Sequence, residues 1–400
     1  MVSQRQRQFL LTALFILTIV RPCLAAVRSH DQFQTFLSSF DGPYHKDFLP
    51  NCTREFNDYI NETLPDPPNA GHNIAWLLTN CILSQMPEVF KAEIAVSGIL
   101  LALVPTALAQ IGPSQVETGL LSLRRPFLAL LLEVGTPSPN PSRGNIYATP
   151  LKALSSPLEA QWPSFLNRAP FVLKAALSVF EYAVAMTATG NCVYQIYRLT
   201  YRAVSLAPIV VLLRNVPETA VLFGWLLLLV PIHAFSVATF LSLYRVPTPR
   251  RSLYLWLVDE VTPCCYGRPV RLVARSKNPW QGLLFFITTF GVCVHIMMGT
   301  VLLGSVMFVT LADVIPVVES FVGCALASRV LLIFELHGMR MASAMATELR
   351  SNSNIEQDFP AQSSQSSRLN EQGPLLNSNS KISGAEEVFE RFDTVQARTL

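Results

Sequence analysis

Long apolar runs separated by short polar segments occupy the middle of the chain. Five of these runs predict membrane-spanning helices, because about 20 apolar residues in a helix cross the hydrocarbon core of a bilayer. The fifth run contains Arg329 and Glu335, so a position at the outer membrane interface is the alternative to a crossing. The pattern predicts an all-α, polytopic transmembrane helical bundle over residues 91–340. The five runs cover approximately residues 92–111, 171–190, 220–243, 283–307 and 317–336.

A shorter amphipathic pattern follows the first predicted span. Residues 112–113, a Gly-Pro pair, end that span, and Ser114 with Glu117 has the spacing of a capping box, which predicts a new helix start. The apolar residues after it are interrupted by Arg124 and Arg125. We expect a helix lying in the inner membrane interface with these arginines at the lipid headgroups. A re-entrant segment is the alternative.

The N-terminal residues have the pattern of an export signal. Arg5 and Arg7 precede an apolar stretch over residues 9–20, which is short for a membrane span but typical of a signal peptide. Pro22 then interrupts the helix ahead of small residues. We predict a cleaved signal peptide over residues 1–25, and an uncleaved signal anchor is the alternative.

Residues 26–90 predict a small luminal or extracellular ectodomain. They contain two acceptor sequences for N-glycosylation, at Asn51 and Asn61. Cys52 and Cys81 are the only cysteines between the signal and the first span, and an isolated pair in an oxidising compartment predicts a disulfide. Such a bridge would stabilise the segment by about 3–4 kcal/mol in the chain-entropy model.

Positive charge predicts the orientation, because Lys and Arg concentrate in the cytosolic loops of membrane proteins. The segment between the third and fourth spans is the most basic, whereas the segment between the fourth and fifth has no basic residue. Five spans then place the N-terminus outside and the C-terminus in the cytosol. We expect an integral membrane protein of the secretory pathway, in the plasma membrane or in a vacuolar or endosomal membrane. The basic residues of the segment between the third and fourth spans are Arg245, Arg250, Arg251, Arg268, Arg271, Arg275 and Lys277.

The C-terminal segment, residues 341–400, becomes rich in Ser, Asn and Gln and predicts a disordered cytosolic tail. Within it, Glu371, Leu375 and Leu376 match the acidic dileucine pattern that sorting adaptors bind. Chance occurrence in a low-complexity tail is the alternative. Adaptors and the lipid bilayer are therefore the partners that the sequence suggests.

Two adjacent cysteines, Cys264 and Cys265, lie in the basic loop near the membrane surface. This position makes them candidates for palmitoylation. They lack the second cysteine pair that a zinc site of this kind requires. Two unmodified, reduced thiols are the alternative.

Three ionisable residues fall near the middle of predicted spans and are the candidates for chemistry: Glu181, His233 and His295. Ionisable groups at this depth usually face the interior of a bundle, where these three could relay a proton or hold a cation. Hydrogen bonding between helices, which fixes their packing, is the alternative. No motif of a common enzyme class, metal site or nucleotide site appears, and we expect no catalytic residue, no cofactor and no nucleic-acid partner.

Three segments carry a likeness to known sequences: GILLALVPT at 98–106, ETGLLSLRRP at 117–126 and ASRVLLIFELHGMR at 327–340. They resemble an uncharacterised family of multi-pass membrane proteins of filamentous ascomycete fungi. The likeness extends over about residues 81–340 and leaves out the signal and the tail. It implies a helical membrane protein and brings no activity, cofactor or catalytic residue with it.

These observations favour a non-catalytic function, as a sensor or scaffold in a surface or vacuolar membrane. The alternative is a transporter or ion-conducting protein that uses Glu181, His233 and His295. The composition agrees with a membrane protein, because half of the residues are hydrophobic and only 14% are charged, against about 25% charged in soluble domains. The small net charge of +3 gives no reason to expect a polyanionic partner.

Overall fold

The computed structural model describes residues 32–61, 74–141, 171–205, 218–245, 253–266, 270, 272–276 and 279–357. The predicted signal peptide (1–25) and the sorting motif at Glu371, Leu375 and Leu376 lie outside these residues. The chain divides into a compact unit that ends at Leu349 and a second unit that begins at Arg350. All contacts described below belong to the first unit.

Five helices are long and apolar enough to cross a membrane, which confirms the predicted class of fold. The fifth apolar run lies inside one continuous helix despite Arg329 and Glu335. The third span is interrupted by a single turn residue, Leu228, between two helices. The spanning helices are α4 (Glu88–Ile111), α7 (Phe171–Tyr201), α8 (Glu218–Leu227) with α9 (Leu229–Leu243), α11 (Pro279–Gly304) and α12 (Leu311–Gln357).

Two short antiparallel strand pairs identify the two ends of the bundle. β1 (Val204–Ser205) follows α7 and pairs with β4 (Val306–Met307), which follows α11. β2 (Tyr244–Arg245) follows α9 and pairs with β3 (Val273–Ala274), which precedes α11. The C-terminal ends of α7 and α11 therefore share one end, and the C-terminal end of α9 lies at the other. This alternation is what consecutive crossings require.

The segment predicted as the ectodomain packs on the end that carries β1 and β4, and these names, ectodomain and ectodomain end, are kept below as labels. Asp313, near the start of α12, accepts hydrogen bonds from the Ser38 hydroxyl and the Ser39 N–H, both at 3.2 Å. Phe308 packs among ectodomain rings, with its centroid 5.4 Å from that of Phe40. The ectodomain contains α1 (Ser38–Pro43), a π-helical turn (Tyr44–Phe48), a 3-10 turn (Leu49–Cys52), α2 (Thr53–Ile60) and α3 (Ile74–Gln85).

A disulfide joins Cys52 to Cys81 and confirms the predicted pairing. It ties the 3-10 turn before α2 to helix α3, with the two Cα atoms 6.0 Å apart. Asn51 and Asn61, the two glycosylation candidates, are both exposed. Asn51 also donates a hydrogen bond to the carbonyl of Asp47 at 3.2 Å. The ectodomain is thus a small cross-linked helical layer.

Two short helices lie inside the bundle between the first and second spans. They are α5 (Gln115–Leu121) and α6 (Pro126–Gly135). The expected position of Arg124 and Arg125 at the lipid headgroups is wrong, because their exposed fractions are 2% and 0%. Both arginines turn inward to carbonyl and carboxylate groups of the protein. The structure thus agrees with the re-entrant alternative for this segment.

The apolar core has one part on each side of this hairpin. Toward the ectodomain end, Trp225 and Phe321 are fully buried. Around the hairpin formed by α5 and α6, Leu128 and Phe240 are fully buried. Many apolar side chains on the outside of the spans remain exposed, as a surface covered by lipid requires. Exposed examples are Ile99, Leu103, Val179, Phe180, Met186, Phe286, Phe290, Met297 and Val330. A connection between β2 and α11 contains α10 (Leu253–Val261) and a 3-10 turn (Cys264–Tyr266).

Candidate functional site

The first spanning helix is broken within the bundle. α4 ends at Ile111, and α5 starts at Gln115 after three non-helical residues, of which Gly112 and Pro113 are buried. A glycine is required at 112, because a Cβ there would lie 2.6 Å from the carbonyl oxygen of Ser138. The predicted capping box is present, with Ser114 and Glu117 satisfying each other's backbone N–H groups. The break is therefore built into the sequence.

Helix α6 ends inside the bundle as well, beside this break. The carbonyl of Gly135 accepts from the Cys192 thiol of α7 at 3.2 Å, well within that span. The chain then continues as buried, non-helical backbone, held where the Ser138 hydroxyl donates to the carbonyl of Pro105 at 2.6 Å. In a membrane such backbone is tolerated only inside protein or along a water-filled cavity. Two discontinuous helices thus meet in the interior.

Glu133 and His233 form a buried acid–imidazole pair next to this meeting point. Nδ1 of His233 contacts Oε2 of Glu133, and Oε1 of Glu133 accepts from the Gln115 side chain at 3.1 Å. Nε2 of His233 lies 3.4 Å from the Ser122 hydroxyl. His233 stands near the middle of the third span, on α9, and Glu133 on re-entrant α6. The pair therefore joins a spanning helix to the hairpin in the bundle interior.

A second charged cluster surrounds Arg125, at the turn between α5 and α6. Its Nη1 contacts a carboxylate oxygen of Glu181 and lies 2.9 Å from Oε1 of Glu335. Its Nη2 donates to the Ser178 hydroxyl at 3.1 Å, and its Nε to the carbonyl of Glu260 at 2.9 Å. One guanidinium thus joins the second span, the fifth span and α10. Planar guanidinium groups suit such multiple contacts.

Glu260 of α10 satisfies the N-terminus of re-entrant helix α6. Its Oε1 accepts from the N–H groups of Phe127 and Leu128, at 3.1 and 3.2 Å, and from the Tyr182 hydroxyl at 2.5 Å. Burial raises the pKa of this carboxyl, and these hydrogen bonds oppose the rise. A carboxylate at a helix N-terminus is favourable, because the first N–H groups lack helical partners. Glu260 therefore fixes where the hairpin turns.

The three predicted midplane residues, Glu181, His233 and His295, are all buried within spans. Each has a different partner, and none of the described hydrogen bonds joins one of the three to another. His295 donates from Nε2 to the carbonyl of Pro137 at 3.0 Å and stacks on Trp225, with ring centroids 5.0 Å apart. The structure thus places His233 in the pair with Glu133 and Glu181 in the cluster around Arg125; these are called here the two polar centres. It places His295 against the re-entrant backbone.

Sequence reasoning missed Glu133, Arg125 and Glu260 as partners of these residues. The signal that could have found Glu133 is a lone carboxylate at the end of an apolar run, since such a group must find a partner. The partner of Arg329 is Glu117, which Nη1 of the arginine contacts.

The palmitoylation candidates differ from each other. Cys264 is fully buried, next to Arg124, whose Nη1 donates to the Cys264 carbonyl at 3.1 Å. Its thiol is not presented at the surface, and palmitoylation of this pair stays a prediction. Cys265 is half-buried. Burial, reinforced by the charge of Glu335, raises the pKa of the Cys265 thiol to about 12.

The described part of the chain holds no cluster of three His, Cys, Asp or Glu side chains arranged to bind a metal ion. Of the charged groups in the two polar centres, the Glu133–His233 pair combines an imidazole and a carboxylate, two groups that can bind and release a proton. An imidazole and a carboxylate in contact share a proton in either of two arrangements, as a neutral pair or as an ion pair.

The fold and the site define an integral membrane protein with five candidate spans and a re-entrant helical hairpin. Comparison with models of protein families, with curated proteins and with solved structures finds no match in any of the three. The resemblance to fungal membrane proteins therefore stays a prediction.

Proposed function

We propose that this protein transports a solute or ion across a membrane in a manner coupled to protons. The observation that carries the proposal is the Glu133–His233 pair beside the point where α4 is broken and α6 ends. This is the second of the two functions that the sequence suggested. The proton site differs from the expected one, because Glu133 takes the place that Glu181 had in that hypothesis.

Discontinuous helices support this proposal on physical grounds. Where a helix is broken within a membrane, backbone groups lose their partners within the helix, and transporters use such broken helices to bind ions or polar solutes. Here the break at Gly112 and Pro113 faces the non-helical segment after Gly135. A stable scaffold has no need for such an arrangement, since continuous helices satisfy their own backbone groups. The nearby imidazole and carboxylate supply the groups that a proton needs.

The proposed role of the charged cluster around Arg125 is to keep the bundle closed at the end opposite the ectodomain. Arg125 links the second and fifth spans, and Glu260 binds the start of α6. Opening at this end would separate Arg125 from the carboxyl groups that it contacts in the buried interior. Such a lock can be released only when new contacts or protonation replace it.

Liposome reconstitution tests the proposal. A pH gradient with a valinomycin-clamped potential should give proton movement in the wild type that is lost in Glu133→Gln and in His233→Asn. Glu319→Gln is the matched control, because this carboxylate lies in the fifth span but on its exposed side. Equal flux in wild type, Glu133→Gln and empty liposomes would contradict proton coupling. Thermal melting in detergent separates loss of flux from loss of folding.

We also propose the orientation and location that the charge pattern suggests. The ectodomain lies outside or in the lumen, and the tail lies in the cytosol, where sorting adaptors can bind Leu375 and Leu376. The exposed Asn51 and Asn61 and the disulfide of the ectodomain support an oxidising, glycosylating compartment. The basic segment around β2 and β3, at the opposite end from the ectodomain, supports a cytosolic face there.

A non-catalytic sensor or scaffold is the second candidate, and one contact favours it. Asp313 connects the ectodomain to the fifth span through Ser38 and Ser39, and the fifth span continues toward the tail. A ligand on the ectodomain would then act on this helix. Hydrogen exchange of Asp313→Ala tests it: the sensor hypothesis expects faster exchange at residues 335–343, near the opposite end. A change confined to the ectodomain end would count against it.

A further inference from the structure

A groove with a volume of about 690 Å³ opens at the ectodomain end, apart from the polar centres. Ectodomain helix α3 forms one side, and the spans α4 and α11 with strand β4 form the other. The volume is in the range of sites that bind small molecules. The proposed transport function makes no use of it.

The floor of the groove consists of small residues where two spans approach closely. A Cβ on Gly304 would lie 2.9 Å from the Cβ of Ala102, and one on Gly98 would lie 3.4 Å from the carbonyl oxygen of Gly304. The walls include the apolar side chains of Leu83 and Ile99. The lower part of the groove, called here the channel, is thus lined by small and apolar residues that a hydrocarbon chain can contact.

The upper part of the groove is polar and carries a cation. Asn80 and Ser84 line it from α3, and Lys91 lines it from the first turn of α4. The ammonium of Lys91 lies 2.8 Å from a carboxylate oxygen of Glu88, whose side chain is 87% exposed. Exposed ion pairs contribute little stability, so Lys91 can exchange this partner for another anion.

We propose that this groove binds an anionic phospholipid of the leaflet on the ectodomain side. One acyl chain occupies the channel over Gly98, Ala102 and Gly304, and the headgroup phosphate binds at Lys91 and Asn80. The neighbouring surface supports a lipid rather than a water-soluble ligand. Val96 and Leu103, on the same helix, are exposed apolar side chains on a candidate span, so lipid is the medium around the groove.

Native mass spectrometry of the detergent-solubilised full chain, titrated with phosphatidylglycerol and phosphatidylcholine, tests the proposal. The wild type should bind phosphatidylglycerol about fivefold more tightly, the effect of roughly one basic residue on an anionic lipid. Lys91→Gln should remove this preference, whereas Lys46→Gln, an exposed lysine of the ectodomain, should keep it. Equal binding of both lipids by the wild type would overturn the role of Lys91.

A second variant tests the channel without disturbing the core. Ala95 is exposed and lines the groove, so Ala95→Phe should fill the groove and weaken the binding of both lipids at least tenfold. Ala92→Phe places the same ring on an exposed position of α4 outside the groove and should leave binding unchanged. If Ala95→Phe binds both lipids as the wild type does, the groove is not the lipid site. Proton flux need not change in either variant, so the two proposals fail separately.

Discussion

Arg125 and Glu335 bring their charged groups to 2.9 Å of each other from opposite halves of the sequence, and both side chains are completely buried. The same nitrogen of Arg125 contacts Glu181 of the second span. One guanidinium group therefore contacts two carboxyl groups from two different spans, at the turn of a hairpin that inserts between them. The contact makes the arrangement of the spans depend on a residue that belongs to none of them.

We predict that Arg125→Leu destabilises the protein by about 3–5 kcal/mol, or prevents its folding, because it leaves two buried carboxylates without their cation. Arg125→Lys should cost less, since the charge stays but the branched donor geometry is lost. Thermal melting in detergent and the yield of monodisperse protein measure the effect. Arg202→Leu, at an exposed arginine, is the control and should be close to wild type.

Glu181 distinguishes charge from hydrogen bonding in the same cluster. Glu181→Gln should fold well, because an amide still accepts from Arg125, whereas Glu181→Leu should lower the folded yield. If Arg125→Leu has the same melting temperature as the Arg202→Leu control, the cluster adds no stability.

The disulfide should stabilise the ectodomain by about 3–4 kcal/mol, from the chain entropy of a loop with a sequence separation of 29. In the double variant Cys52→Ala with Cys81→Ala, hydrogen exchange in α1 to α3 should accelerate, while α7 and α9 stay protected. Cys293→Ser, an exposed free cysteine, is the control. Recovery of alkylated Cys52 from the non-reduced native protein would contradict the bridge.

We predict N-glycans on Asn61 and, less completely, on Asn51. Asn61 is exposed at the end of α2, whereas the Asn51 side chain is held by the Asp47 carbonyl and precedes the bridged Cys52. Glycosidase treatment should increase gel mobility, and Asn61→Gln should remove most of the shift. An unchanged mobility of the wild type, together with an N-terminal sequence that starts at Met1, would overturn the export hypothesis.

We predict that the tail is cytosolic and that Leu375→Ala with Leu376→Ala moves the protein from an endosomal or vacuolar membrane toward the cell surface. Fluorescence microscopy of the tagged full chain measures this redistribution. A glycosylation acceptor placed in the tail should stay unmodified. Its modification would mean an even number of crossings and would remove the basis of the sorting hypothesis.

We predict that Cys265 reacts with maleimide at neutral pH at least about tenfold more slowly than a cysteine introduced at Ser276, and that it is not the main site of acylation. The reactive species is the thiolate, and a pKa near 12 keeps the thiol protonated at neutral pH. Ser276 is exposed at the same end of the bundle and provides the reference. The labelling rate of Cys265 should rise as the pH approaches 12, and equal rates at neutral pH would contradict its burial.

The amino-acid sequence by itself determined the class of protein and the local starts and stops of its helices. Apolar runs of sufficient length predicted five spans, because the thickness of a bilayer translates directly into a number of residues. The capping box at Ser114 and the pairing of Cys52 with Cys81 were also predictable. The first depends on a spacing of three residues, and the second leaves no alternative partner within the ectodomain.

Only the tertiary structure decided which polar residues meet. Arg124 and Arg125 read as headgroup residues in the sequence, because basic residues next to an apolar run usually lie at the interface. The burial of Arg125 depends on carboxylates far away in the chain, Glu181 and Glu335, that become neighbours when the second and fifth spans pack together. Helix periodicity reports which face a residue occupies and contains no information about the residue that it faces. For the same physical reason, His233 could be placed in the interior from the sequence, but its partner Glu133 could not.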